Sequence, residues 1–124
     1  MVSLIDSSTV GLLSLALDAA GMRQQAIAQN IANVNTPGYQ RMGVSFESRL
    51  DELRQDVRQG RAPSLAGLAA LRPRFEVAGA AGEAVALDTE MASLSENTLH
   101  HQALLKALNK HFALLGSAIN EGKR

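Results

Sequence analysis

The sequence predicts a mainly α protein: long N- and C-terminal helices packed as a coiled-coil-like pair, with a small irregular or short-β middle region. Three observations predict it. Apolar residues recur near both ends at alternating spacings of three and four, the period of a helix seam. Charge is uneven: residues 1–34 hold only Asp6, Asp18 and Arg23, residues 35–86 hold thirteen charges, and residues 87–124 hold eight, balanced in sign. Rings are few (Tyr39, Phe46, Phe75, Phe112, no Trp), so Leu, Ala and Met must carry the packing. The chain divides accordingly into 1–39, 40–86 and 87–124.

The first helix is expected over about 9–34. Val10, Leu13, Leu17, Ala20, Gln24, Ile27, Ile31 and Val34 form its seam. A second stripe, Leu12, Leu15, Ala16, Ala19, Met22 and Ala26, runs beside it. So little polar surface implies burial on several sides. Ser7, Ser8 or Thr9 suits the N-cap. Gly11 and Gly21 each cost about 1 kcal/mol of helix propensity, which close approach of another backbone would explain.

The helix should stop at "NIANVNTPGYQ", residues 30–40. Asparagine tolerates left-handed backbone and its amide can bond spare helix-end groups. Thr36 precedes a proline, which pushes it out of the helical region. Pro37-Gly38 fits the centre of a type II turn, and Tyr39 suits packing on the helix end.

In the middle, Phe46, Leu50, Leu53 and Val57 share a face, so 46–58 reads as a short helix. "GRAPSLAGLAALRPR" reads as loop, with Pro63, Gly67 and Pro73 as breakers. "RFEVA" alternates like a strand and "GAAGEA" like a glycine turn, a possible hairpin. The last helix is expected over about 88–121. Its seam is Leu87, Met91, Leu94, Thr98, His101, Leu105, Leu108, Phe112, Leu115 and Ile119. Asp88 suits the N-cap, and Glu90 the positive end of the dipole.

The two seams should pack together, in an orientation that pattern alone leaves open. A bare hairpin would leave the first helix's second stripe in water, forfeiting about 1.5–3 kcal/mol per large side chain. The chain is therefore expected to complete its fold against other chains.

"NIANVNTPGY" resembles the N-terminal motif of flagellar axial proteins (rod, hook and hook-associated proteins). The likeness extends to Phe46 in "VSFES" and to "VALDTEMASLSENTLHHQALLKALNKHFALLGSAI" at 85–119. The short length and small middle resemble the proximal members of the flagellar basal-body rod family. Asn30, Asn33, Asn35, Thr36, Pro37, Gly38 and Tyr39 match the first motif, and Asp88, Glu90, Met91 and Asn97 the second. His101-Gln102 departs from the family's more usual Tyr-Gln. The resemblance implies a structural subunit of the drive shaft that spans the periplasm, whose terminal helices line the export channel. The seam positions expected to carry assembly are Leu13, Leu17, Ile27, Ile31, Leu94, Leu105, Leu108, Phe112 and Leu115. The partners would be copies of the chain, other rod proteins, the inner-membrane ring, a rod-base adaptor and the flagellar type III export apparatus, reached without a cleaved signal. No cofactor is implied.

Other classes fit less well. Twelve basic and twelve acidic residues give no charge excess for nucleic acid. The longest apolar stretch, Val10 to Met22, is too interrupted to span a membrane, and a membrane-surface helix lacks its basic flank. Cysteine is absent. His100 and His101 point about 100° apart on a helix and His111 lies roughly 15 Å on, so they read as structural rather than metal-binding. Asp51, Glu52 and Asp56 among Arg49, Arg54 and Arg58 read as a solvated face, not general acid–base groups. No phosphate-binding glycine motif occurs. A soluble helical adaptor or chaperone binding partner helices is the alternative that the seams allow.

Overall fold

The computed structural model describes residues 2–61 and 70–122, with side chains from Val10 onward. Helix α1 (Val2–Ala32) leads through a turn to strand β1 (Met42–Ser45) and helix α2 (Glu47–Arg58). Strand β2 (Arg74–Val77) and helix α3 (Leu87–Gly122) follow. The strands form an antiparallel ribbon with Met42 opposite Val77, Gly43 opposite Glu76, Val44 opposite Phe75 and Ser45 opposite Arg74.

α1 and α3 pack along each other, and the ribbon lies against α1. Asn30 bonds Glu90, while Asn97 bonds Ala20 and Gln24. Residue numbers fall on one helix as they rise on the other, so the pair is antiparallel. Ala19 and Ala20 are fully buried, and Ala26 and Ile27 nearly so. Small side chains at this crossing let the helix surfaces approach closely.

The two long helices arise where the periodicity places them, with different ends. α1 runs through Ser7, Ser8 and Thr9, so none of them is its N-cap; the apolar Val2–Ile5 stretch continues the helix toward the N-terminus. Its last residue is Ala32, and Val34 already belongs to the turn. A Cβ at Gly11 or Gly21 would meet nothing within 4 Å, so these glycines serve no close approach among the described residues. The close approach is at Gly43, where a Cβ would sit 3.0 Å from that of Ala78 across the ribbon. α1's second stripe is also less exposed than a bare hairpin would leave it. Ala19 and Ala26 are buried, and α1 carries the ribbon as well as α3, while Leu12 stays exposed.

α2 begins one residue after Phe46, whose carbonyl accepts the Leu50 N–H at 3.1 Å. It ends in a Schellman motif: Gly60, at φ +77°, bonds Val57, and Arg61 bonds Asp56. Arg49 reaches the carbonyls of Ala70 and Arg72, tying α2 to the chain entering β2. Phe46 and Leu71 are buried there. "RFEVA" does form a strand, but its partner is β1, unread in the sequence, and not a neighbour across a tight turn. The glycine turn is present, with Gly82 at φ +83° and the Glu83 N–H bonded to Ala80. Pro63 and Gly67 lie outside the described residues.

α3 turns toward α1 a stripe of covered positions at alternating four and three, Glu90, Leu94, Asn97, His101, Leu104, Leu108, His111 and Leu115, with Ser93 covered beside it. This corrects the seam read from apolar residues. Leu94, His101, Leu108 and Leu115 belong to it. Leu87, Met91, Thr98, Leu105, Phe112 and Ile119 lie about a quarter-turn round the helix and are exposed, Phe112 by 51%. The polar Glu90 and Asn97 find partners on α1, and that draws their line of the helix inward.

Ala20→Leu would force three extra carbons into a crossing with no free space. It is expected to lower the melting temperature of the helical signal through a loss of about 1–3 kcal/mol. An unchanged melt followed by circular dichroism would contradict the packing at this position.

Candidate assembly site

The polar motif at the end of α1 folds back on itself before it reaches the rest of the chain. The Asn33 amide donates to the Gln29 carbonyl at 2.8 Å, capping the helix end. The Thr36 hydroxyl donates to Asn33 at 3.1 Å, and the Thr36 N–H to the Asn33 carbonyl at 2.9 Å. The Tyr39 N–H bonds Thr36 across Pro37-Gly38, with Gly38 at φ +75°, as a type II turn requires. No non-glycine residue among those described uses positive φ, so the asparagines act through their amides and not through left-handed backbone. Asn35 is exposed.

Asn30 is the centre of the arrangement, with 1% of its surface exposed. Its Oδ1 accepts the Met42 N–H at 2.9 Å and the Tyr39 hydroxyl at 2.8 Å. Its Nδ2 donates to the Met42 carbonyl at 2.9 Å and to Glu90 Oε2 at 3.3 Å. The Ala78 N–H bonds Arg41 across the ribbon, so the N–H and C=O of Met42 point to the other side. The Asn30 amide therefore stands where a third strand would, and closes that edge of β1 at this residue.

Glu90 reaches the same point from α3. It too is 1% exposed, and it is paired with Arg41, which is partly open to solvent. A buried carboxylate is tolerated only when charge and hydrogen bonds surround it. Arg41 and Asn30 supply both. Seven residues on, the Asn97 amide donates to the Ala20 carbonyl and to Gln24 Oε1, each at 2.9 Å. Outside the centre, Arg23 pairs with Glu47, joining α1 to the start of α2.

The structure thus brings together Asn30, Tyr39 and Glu90 from the two motifs, with Asn97 two helical turns away. Asn33, Thr36, Pro37 and Gly38 shape the turn. Asp88 is exposed and accepts its neighbour's N–H, from Thr89, inside α3, so it is not the N-cap. Met91 is exposed. Of the seam residues, Ile27 is buried; Leu13, Leu17, Ile31, Leu94, Leu108 and Leu115 are half-buried; Leu105 and Phe112 face outward. Arg41 escaped the sequence reading, and only its position two residues after Tyr39 hints at its role. Among the described residues no group of three or more His, Asp and Glu could hold a metal ion.

Comparison with known proteins finds similar chains. The family profile described as "Flagella basal body rod protein" matches residues 14–40. A protein of Bacillus subtilis named "Flagellar basal body rod protein FlgB" is 29% identical, over 94% of this chain and 97% of that protein. The Escherichia coli protein of the same name is also 29% identical, over 86% and 89%. That of Borreliella burgdorferi is 47% identical over a shorter match, 29% of this chain and 27% of that protein.

Tyr39 is the sole tyrosine, so phenolate absorbance reports it alone. Burial first, and then the negative charge of Glu90, raise its pKa above the usual 10.0. The unfolded phenol ionises at lower pH than the folded one. Tyr39's contribution to stability is therefore full below about pH 10 and lost as pH rises through the folded value. The folded chain should show a phenolate midpoint above 10.0, lowered in part by Glu90→Gln. A midpoint at or below the usual value would contradict the arrangement around Asn30.

Proposed function

This chain belongs to the flagellar basal-body rod proteins, and we propose that it builds the proximal rod by packing its paired terminal helices against those of like copies and of other rod proteins. In this reading residues 1–39 and 87–124 form the inner, load-bearing part of the subunit and residues 40–86 the outer part. Its role is structural and needs neither substrate nor cofactor. Torque would pass from subunit to subunit through dense helix contacts, which resist deformation as a close-packed interior does.

The uncovered ridge of α3 carries the proposal. Leu87, Met91, Leu105, Phe112 and Ile119 stand exposed on one uncharged line beside the packed stripe. Each such side chain gains about 1.5–3 kcal/mol when water is excluded from it. Ile27, Leu13, Leu17 and Ile31 would hold α1 to Leu94, Leu108 and Leu115 within a subunit, while Leu105 and Phe112 make contact between subunits. A ridge that meets a different surface on its neighbour gives a head-to-tail contact, and such contacts propagate into helical polymers.

No helix among the described residues is long and apolar enough to cross a membrane. The subunit would instead take its place by assembly, delivered by the flagellar type III export apparatus into a rod that crosses the periplasm. The inner-membrane ring and a rod-base adaptor would be its neighbours below.

Phe112→Asp puts a charge on the ridge without touching the intramolecular stripe. It should leave expression and the helical signal intact while abolishing rod assembly and swimming. Leu108→Asp, at the packed stripe, should cost both. Normal motility with Phe112→Asp would overturn the proposed contact.

A further inference from the structure

We infer that Glu90 is a coupling device: it makes the position of the β ribbon depend on the docking of the first turns of α3. The ribbon rests on α1, whereas among the described residues one carboxylate of α3, that of Glu90, bonds both Arg41 at the start of the ribbon and Asn30, which holds Met42. Arg41, its ion-pair partner, is the residue before β1, and the Arg41 carbonyl receives the Ala78 N–H at 2.8 Å to close the ribbon. Asn30, its hydrogen-bond partner, grips Met42 by both backbone groups. Glu90 therefore bonds the two residues that hold the start of β1 in place.

The coupling follows from what burial demands of a charge. With the ribbon displaced, Arg41 leaves, and α3 can dock only by burying an unpaired carboxylate. With α3 absent, Arg41 loses the partner that holds it over the end of α1. Each event favours the other by the same factor. The outer surface of the subunit is then fully formed only on a chain whose two terminal helices have met. This property belongs to the folded chain and does not rest on the rod assignment, which would survive its failure.

Asn97 supplies the control. It is buried on the same stripe of α3 and bonds α1 twice, yet its bonds go to Ala20 and Gln24 and none goes to the ribbon. The test is amide hydrogen exchange by NMR on the full chain in graded urea, read at Gly43, Glu76 and Ala78. In the wild type these amides should open in the same step as the first turns of α3. Glu90→Ala should speed their exchange by about tenfold or more. Asn97→Ala should change it by no more than about twofold, although amides in the middle of α3 exchange faster. Glu90→Gln, which keeps the shape but not the charge, should fall between and carries the comparison if Glu90→Ala does not fold. Unchanged ribbon exchange in both Glu90 variants, or equal acceleration by Asn97→Ala, would overturn the coupling.

Discussion

Buried amides fix the register in which α1 meets α3, and most of the rest follows from that register. A helix pair lined only with leucine and alanine can slide by a heptad at little cost, because one apolar contact replaces another. Asn30 and Asn97 remove that freedom. Each must find particular acceptors once it is out of water, and a slide would strand it at about 1–3 kcal/mol per unmet group. Asn97 finds a carbonyl and an amide oxygen on α1; Asn30 finds β1 and Glu90. Polar groups here sacrifice some stability for a single arrangement, the use of buried asparagine best attested in coiled coils.

The register also decides which surfaces remain outside. The stripe through Glu90 and Asn97 turns inward, so the line through Met91, Leu105 and Phe112 turns outward. The buried apolar side chains are few: three alanines, with Ile27, Phe46, Leu71 and Val85, among the described residues. That is a modest core for helices of roughly 46 and 54 Å. A subunit made this way keeps much of its potential burial for its neighbours, as a polymer needs.

The existence of both long helices, α2 and β2 was legible in the sequence, because each rests on a local period or on a turn residue. The turn at Pro37-Gly38 was legible for the same reason. The facing of α3 was not. The apolar period favours the line through Met91 and Thr98 over the line through Glu90 and Asn97, and the inward choice depends on partners on α1 that lie sixty or more residues away in sequence. β1 was missed because a four-residue strand with a glycine at its second position carries little pattern. Its place is fixed by the Asn30 amide and by β2. Arg41 was passed over because an isolated arginine in a charged stretch looks like any solvated side chain until its carboxylate partner is seen.

The central claim is that pairing in this register leaves the α3 ridge open, for other chains to cover. The chain has no cysteine, so a single introduced thiol reports its own surroundings. The most direct measurement is maleimide labelling of Phe112→Cys, in the free subunit and in purified basal bodies, beside Glu52→Cys on the exposed side of α2. Position 112 should label freely in the subunit and become protected in the rod by far more than position 52. Equal labelling of position 112 in both states would contradict the account.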